Sequence, residues 1–308
     1  MHRHILGCGL LALLVATGAP PAAVARREAD KATEILAAAR KAIGEKKLAS
    51  LKTFGAEAKI QRNIGTFQMN SDVELAVELP DKYARTEVSG SPMNMERTTG
   101  FNGDQSLQAA NSPGTMGAGG AMIIRMGPGG PPPSGEKPTL EQLEQMSKAA
   151  LRGARAELSR LMLGWFAMAH PSVTAEYSYA GQAESPDGKA DLIDVKGADG
   201  FAARLFIDEL TRLPLMVTYQ GPQARMITRT NGPPASAETV ERRVSDVQVQ
   251  PPPMVEYRLF FSEWAEVDGM SFPHKIQRST GGVTDEEWTV TKARVNPKVD
   301  PKKFLVKS

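Results

Sequence analysis

From Phe67 to Leu79 every second residue except Ser71 is apolar, and Gln68, Asn70, Asp72, Glu74 and Glu78 fill most of the alternate positions. A period of two over this length describes a strand with one dry and one wet face. Such a strand cannot stand alone. It must pair with neighbours of the same pattern and turn its dry face toward a cover, which commits the chain to an antiparallel sheet with a one-sided core.

The neighbours are easily found. Phe54, Ala56, Ala58 and Ile60 alternate with Glu57, Lys59 and Gln61, and a turn near Asn63 to Gly65 leads into the strand above. Pro80-Asp81 turns into a strand from Lys82 to Val88, and Ser89 to Pro92 into another from Met93 to Phe101. Asn102-Gly103 then marks a hairpin, because both residues tolerate positive φ. A second block runs from Val173 to Val295. Asp187-Gly188, Asp199-Gly200 and Asp268-Gly269 supply its turns, and a further strand is expected near Met226 to Thr230. Leu213-Pro214 and Phe272-Pro273 each open a return strand after an acidic turn, a faint internal repeat.

Two helices interrupt the strands. Ala32, Ile35, Leu36, Ala39 and Ile43 predict a helix over residues 28–43 stopped by Gly44, with Leu48 and Leu51 on one more turn. Thr139 and Gln142 fit a capping box opening a long helix that ends before Pro171. Its last turns, Leu161 to Ala169, are apolar nearly all round, so they must be buried or touch a ligand. Between the blocks, residues 111–138 turn abruptly to Gly, Pro, Met and Ser, which predicts a mobile insert. Within it Met122 to Met126 is a segment that either docks transiently on an apolar surface or stays disordered with the rest of the insert. A second loop is expected at 231–253.

The first residues have basic, apolar and small-residue zones ending in Ala23-Val24-Ala25, the layout of a secretory signal cleaved after Ala25. Export places the mature chain in the periplasm. The remaining residues, 26–308, are expected to form one domain. The sole cysteine, Cys8, lies inside the leader, so no disulfide framework supports the fold. The 37 basic and 35 acidic residues nearly balance. That leaves no footprint for nucleic acid and restricts any contact with a membrane surface to a peripheral one.

Chemistry is scarce. Beyond the leader the histidines are His170 and His274, about a hundred residues apart, which is a poor start for a metal site. No Gly-x-Ser-x-Gly nucleophile context occurs, and Gly117 to Gly120 follows no confident strand-to-helix pattern. Asp285-Glu286-Glu287 reads as a solvated hairpin tip or a calcium-binding triplet. No catalytic residue, cofactor or metal is therefore expected.

Four stretches resemble the periplasmic lipoprotein-carrier-like (LolA/LolB-like) proteins and their longer outer-membrane lipoprotein-sorting relatives. They are Pro80 to Arg85, Gly100 to Gln105, Phe206 to Leu215, and Val267 to Pro273 with Val295-Asn296-Pro297. The chain departs from the group where Leu79 replaces an arginine before the proline, and where Ser106-Leu107 follow the hairpin in place of an aromatic. The resemblance implies a mainly β fold with helices: a curved antiparallel half-barrel, covered by the long helix, over an apolar cavity that takes lipid or lipoprotein acyl chains. The expected function is a non-enzymatic carrier or holder of such a ligand in cell-envelope transport. The alternative is an envelope sensor or scaffold that binds a protein partner.

Candidate ligand-binding residues follow from the dry faces. In the first block they are Phe67, Met69, Val73, Leu75, Tyr83, Met93, Met95 and Phe101. Leu161, Trp165 and Phe166 come from the helix as a lid, and Tyr257, Leu259 and Phe261 from the second block. Flexible methionines suit an adaptable apolar surface. The expectation is an unfilled oily space beneath the helix.

Overall fold

Hairpin after hairpin, the alternating segments pair with the next in sequence. A computed structural model describes residues 22–64, 67–90, 95–111, 122–125, 139–186, 188–223, 225–228 and 252–305. The first meander comprises β1 (Thr53–Ile64), β2 (Phe67–Glu78), β3 (Lys82–Ser89), β4 (Glu96–Asn102) and β5 (Gln105–Asn111). Asn102 to Gln105 closes the predicted hairpin, with Gly103 at φ 58°. After the short β6 (Met122–Arg125), the second meander comprises β7 (Glu176–Ser185), β8 (Gly188–Lys196), β9 (Ala202–Asp208), β10 (Pro214–Pro222), β12 (Met254–Val267), β13 (Met270–Thr280) and β14 (Val283–Val295). The short β11 (Arg225–Thr228) lies between β10 and β12 in sequence.

The last strand pairs with the first, so both meanders join into one twelve-stranded antiparallel sheet. Its order is β5-β4-β3-β2-β1-β14-β13-β12-β10-β9-β8-β7. The sheet is curved and does not close, with β5 and β7 at its edges. The structure departs from the sequence reading at one pair. The segment near Met226 does not join this sheet, and Met122–Arg125 is not a loop. They pair with each other, Met226 opposite Ile124, as a separate two-stranded ribbon. The rest of the 111–138 insert and residues 231–251 lie outside the described residues, as do residues 1–21 of the expected leader.

Two helices cover the concave face. The first, α1 (Ala22–Ala49), is longer than predicted. The added length is at its start: Gly44, at the non-helical φ 129°, breaks the helix at the expected stop, and Leu48 is buried on the further turn. The second, α2 (Leu140–Phe166), opens with the predicted capping box, since the Thr139 side chain accepts from Gln142 N and Gln142 returns a bond to the Thr139 backbone. Ala167 ends it in the left-handed region. There Arg40 from α1 donates to the Ala167 carbonyl at 3.2 Å, tying the helix ends together.

Period two places Ala56, Ala58 and Ile60 of β1, Val73, Leu75 and Val77 of β2, and Tyr83 of β3 on one concave face, with Phe101 beyond. The last turns of α2 lie on this face. Phe54, Trp165, Phe166 and Phe272 form one aromatic knot with ring centroids 5.0–6.3 Å apart. Opposite, on the convex face, Phe304 from the C-terminal turn packs on Ala76, Ala84 and Leu107 as a small second core.

Gly164 shows how closely α2 fits. A Cβ there would fall within the van der Waals envelope of the Phe261 ring. Overpacking of this kind costs about 1–3 kcal/mol. Gly164→Ala should therefore lower stability in urea unfolding by that amount. Gly164→Ala with Phe261→Leu should recover most of the loss in a double-mutant cycle.

Candidate functional site

The inward rows of the sheet change character along their length. One row runs through Phe101, Tyr83, Val77 and Phe54 and is apolar throughout. Further along the strands, Ile60, Trp288, Ile276 and Phe261 form another apolar row. Two residues on, the same parity brings Arg62 opposite Glu286, Glu286 opposite Arg278, and Arg278 opposite Leu259. The concave face is thus oily in the middle and charged at one end.

That charged end is a connected network. Arg62 pairs with both Glu286 and Glu87. Arg85 reaches Glu87 at 3.1 Å and, across to α2, Glu157 at 2.6 Å. Arg278 holds Asp285 at 3.0 Å and Glu286 at 3.3 Å. The Trp288 indole donates to Glu286 at 2.6 Å. Burial alone would raise the Glu286 carboxyl, but Arg278, Arg62 and Arg85 outweigh it and hold it at about 2. Burial likewise works against the Arg85 guanidinium, yet Glu157, Glu286 and Glu87 raise it above its ordinary value.

This overturns the reading of Asp285-Glu286-Glu287 as a solvated tip or a calcium triplet. Glu286 is buried among arginines, and Glu287 serves Lys275 and Gln277. Among the described residues no three His, Cys, Asp or Glu side chains converge as metal ligands would. His170 is buried, its Nδ1 2.7 Å from Ser172 Oγ and its ring edge-on to Phe101. Burial first, then Arg155, lowers it to about 4.

Of the fourteen expected ligand-binding residues, Val73, Leu75, Tyr83, Phe101, Leu161, Trp165, Phe166, Leu259 and Phe261 meet in one cluster. Tyr257 is buried beside it, stacked on Tyr219 at 5.2 Å. Met69, opposite Arg62, and Met95 are half-buried at the charged end. The side chain of Phe67 and the whole of Met93 lie outside the described residues. The oily space expected beneath the helix is filled. Tyr83, Phe101, Trp165 and Phe166 are at most 1% exposed. A void large enough for water would leave exposed surface on its walls, so none adjoins these rings. The space is occupied by α2 itself, whose Leu158, Leu161, Met162, Leu163, Trp165 and Phe166 are all buried.

The helix is held imperfectly. Arg155 Nε, Ser159 Oγ, Arg160 Nε, Trp165 Nε1 and His170 Nε2 are buried without a hydrogen-bond partner, and they are the only such side-chain atoms among the described residues. All five sit on α2 or just past its end. The Arg160 guanidinium rests 3.8 Å over the Tyr219 ring and makes no hydrogen bond or ion pair among the described residues. Burial lowers its proton affinity. The same burial pushes the Tyr219 hydroxyl up to about 12, against the pull of Arg160 and Arg278.

No protein-family model matches the sequence, and no curated protein does either. Solved structures do match. A LolA superfamily protein from Nitrosomonas europaea is 9% identical, with 89% of this chain and 97% of that one covered at a TM-score of 0.49. A DUF1329 family protein from Desulfovibrio piger is 8% identical, with 92% and 97% covered at 0.45. A domain described as an outer membrane lipoprotein-sorting protein, from Vibrio parahaemolyticus, is 10% identical, with 90% and 97% covered at 0.44. The chain is similar to these over most of its length, at low identity. No helix among the described residues is long and apolar enough to cross a membrane.

The network has a pH signature. A carboxyl held at about 2 stabilises the fold fully above its unfolded value near 4.5, and that stability is lost as pH falls toward 2. His170, lowered to about 4, contributes in a higher window, lost between about 6.5 and 4. Urea unfolding across pH should resolve both. Glu286→Gln should remove the lower step and cost about 3–5 kcal/mol at pH 7, because it leaves Arg62 and Arg278 underpaired.

Proposed function

We propose that this protein is an exported, periplasmic holder of a hydrophobic ligand, a lipid or lipoprotein acyl chain, and that α2 is the lid that fills the binding space when no ligand is present. The observation that carries this reading is the quality of the α2 seat. Its apolar face packs well, while five buried polar atoms on it and just beyond it go without partners. Each such group costs about 1–3 kcal/mol. A helix docked at that cost is easier to lift than one whose polar groups are all satisfied.

The attachments of α2 suit a lid. Ahead of its buried last turns they include polar, local pairs: Arg85 with Glu157, Arg155 with Asp104 at 2.8 Å, and Ser106 Oγ with Ser147 Oγ at 2.9 Å. Lifting the helix would bare Phe54, Tyr83, Phe101, Phe261 and Phe272 as the floor of an apolar trough. Acyl methylenes contribute roughly 0.8 kcal/mol each on burial, so affinity needs no directional chemistry. No catalytic or cofactor role is assigned to any residue.

A second reading has one observation in its favour. The interior is closed, as it would be in an envelope scaffold that presents its sheet or its 111–138 insert to a protein partner. One variant separates the two. Ser106→Cys with Ser147→Cys can tie α2 to β5 in a chain whose one native cysteine, Cys8, belongs to the expected leader. On the lid reading, the reduced form should take up a fluorescent fatty acid and the oxidised form should lose uptake by at least about tenfold. Equal uptake by both forms would sink the lid. No uptake by either, nor by the wild type, would leave the scaffold.

A further inference from the structure

Charged side chains gather at one end of the concave face, and nearly all of them are matched. Arg62, Arg85 and Arg278 each have carboxylates. Glu157 lies one turn before Arg160 on α2, but it is engaged by Arg85 and lies 3.5 Å from the Tyr83 hydroxyl. Arg160 is the exception. Its guanidinium is stacked flat on Tyr219, with Tyr257 stacked beneath and Arg278 beyond that ring at 6.0 Å. Stacking satisfies the face of a guanidinium and leaves its N–H edge without an acceptor.

The surroundings of Arg160 are graded. One turn further along α2 is Gly164, pressed against Phe261. The inward face of β12 runs from Phe261 through Leu259 to Tyr257, and that of β10 from Val217 to Tyr219. Moving from Gly164 back to Arg160 therefore passes from a purely apolar floor, over two tyrosines, to an unpaired cation. A molecule that matched this gradient would have a hydrocarbon chain at one end and an anion at the other.

We propose that Arg160 is the headgroup site of the ligand, and that the ligand is an anionic amphiphile whose carboxylate or phosphate oxygens accept from the Arg160 guanidinium edge. Its chain lies between α2 and the row formed by Leu259 and Phe261. This rests on the lid reading above and adds to it the chemical class of the cargo. The planar fork of arginine meets a carboxylate or a phosphate through two parallel bonds, and an uncharged alcohol cannot replace them. Because Arg160 is carried on the lid, an anionic head would also supply the partner that α2 lacks and so hold the lid over the chain.

The test compares hexadecanoate with hexadecanol, the same chain without charge, on the full exported protein by displacement of a fluorescent fatty acid. Wild type should bind the acid at least about tenfold tighter than the alcohol. Arg160→Gln should erase that preference while keeping alcohol affinity within about twofold, and Arg160→Lys should retain part of it. Inorganic phosphate that protects wild type but not Arg160→Gln against thermal unfolding would support an oxyanion site filled without a chain. Equal affinity of wild type for acid and alcohol would overturn the headgroup site and leave the holder standing. Failure of both to bind would remove the holder and this site together. The melting temperature of Arg160→Gln should equal or exceed that of wild type, since a half-buried cation whose Nε has no acceptor has been removed. A fall of several degrees would mark Arg160 as a structural pillar and count against the proposal.

Discussion

Charges on the inside of a sheet determine where its oily interior can end. Arg62, Arg85, Glu87, Arg278 and Glu286 all point to the concave side, and each would cost several kcal/mol if left alone there. Their pairings run between β1, β3, β13 and β14, and Glu157 extends them to α2. They fix the relative placement of five elements. Away from them the interior is apolar and is occupied by aromatic rings.

How the interior is filled follows from this. A curved sheet of small and medium residues such as Ala56, Ala58 and Val73 leaves more room on its concave side than its own side chains can occupy. Trp165 and Phe166 arrive from α2 to take up that room, and Phe54 and Phe272 meet them from the sheet. A core supplied by a helix in this way differs from one supplied by facing strands. The sheet's backbone hydrogen bonds run from strand to strand and do not involve the helix.

The pattern of pairing was legible because strands advertise themselves locally. The alternation from Phe67 to Leu79, the Asn102-Gly103 turn and the Thr139–Gln142 capping box each specify an element within a few residues, and each is found as read. The charged belt was hidden by its position. Arg62, Arg278 and Glu286 lie near strand ends, where charges ordinarily mean solvent, so the sequence alone places Glu286 at a hairpin tip. Parity held the missing signal, because Ile60 and Arg62, Ile276 and Arg278, and Glu286 and Trp288 are each two apart and must share a face. Two further features depend on partners distant in sequence. The ribbon of Met122–Arg125 with Arg225–Thr228 joins segments a hundred residues apart. The apolar turns from Leu161 to Ala169 fit equally well as the lining of a cavity or as its filling, and no periodicity distinguishes the two.

Magnitudes show why a filled interior is compatible with a ligand. Six buried apolar side chains on α2, at about 1.5–3 kcal/mol each, bring roughly 9–18 kcal/mol to the seat. Unsatisfied polar atoms on the same helix subtract about 1–3 kcal/mol apiece. A sixteen-carbon chain returns about 0.8 kcal/mol per methylene, or roughly 12 kcal/mol, to the same floor. The two apolar terms are of the same order of magnitude. On the proposed lid reading, exchange then depends on the polar terms: the ion pairs that hold α2 and whatever partner Arg160 gains or lacks. Apolar burial accounts for the seat of α2, and in the proposed reading the charged end selects what replaces the helix there.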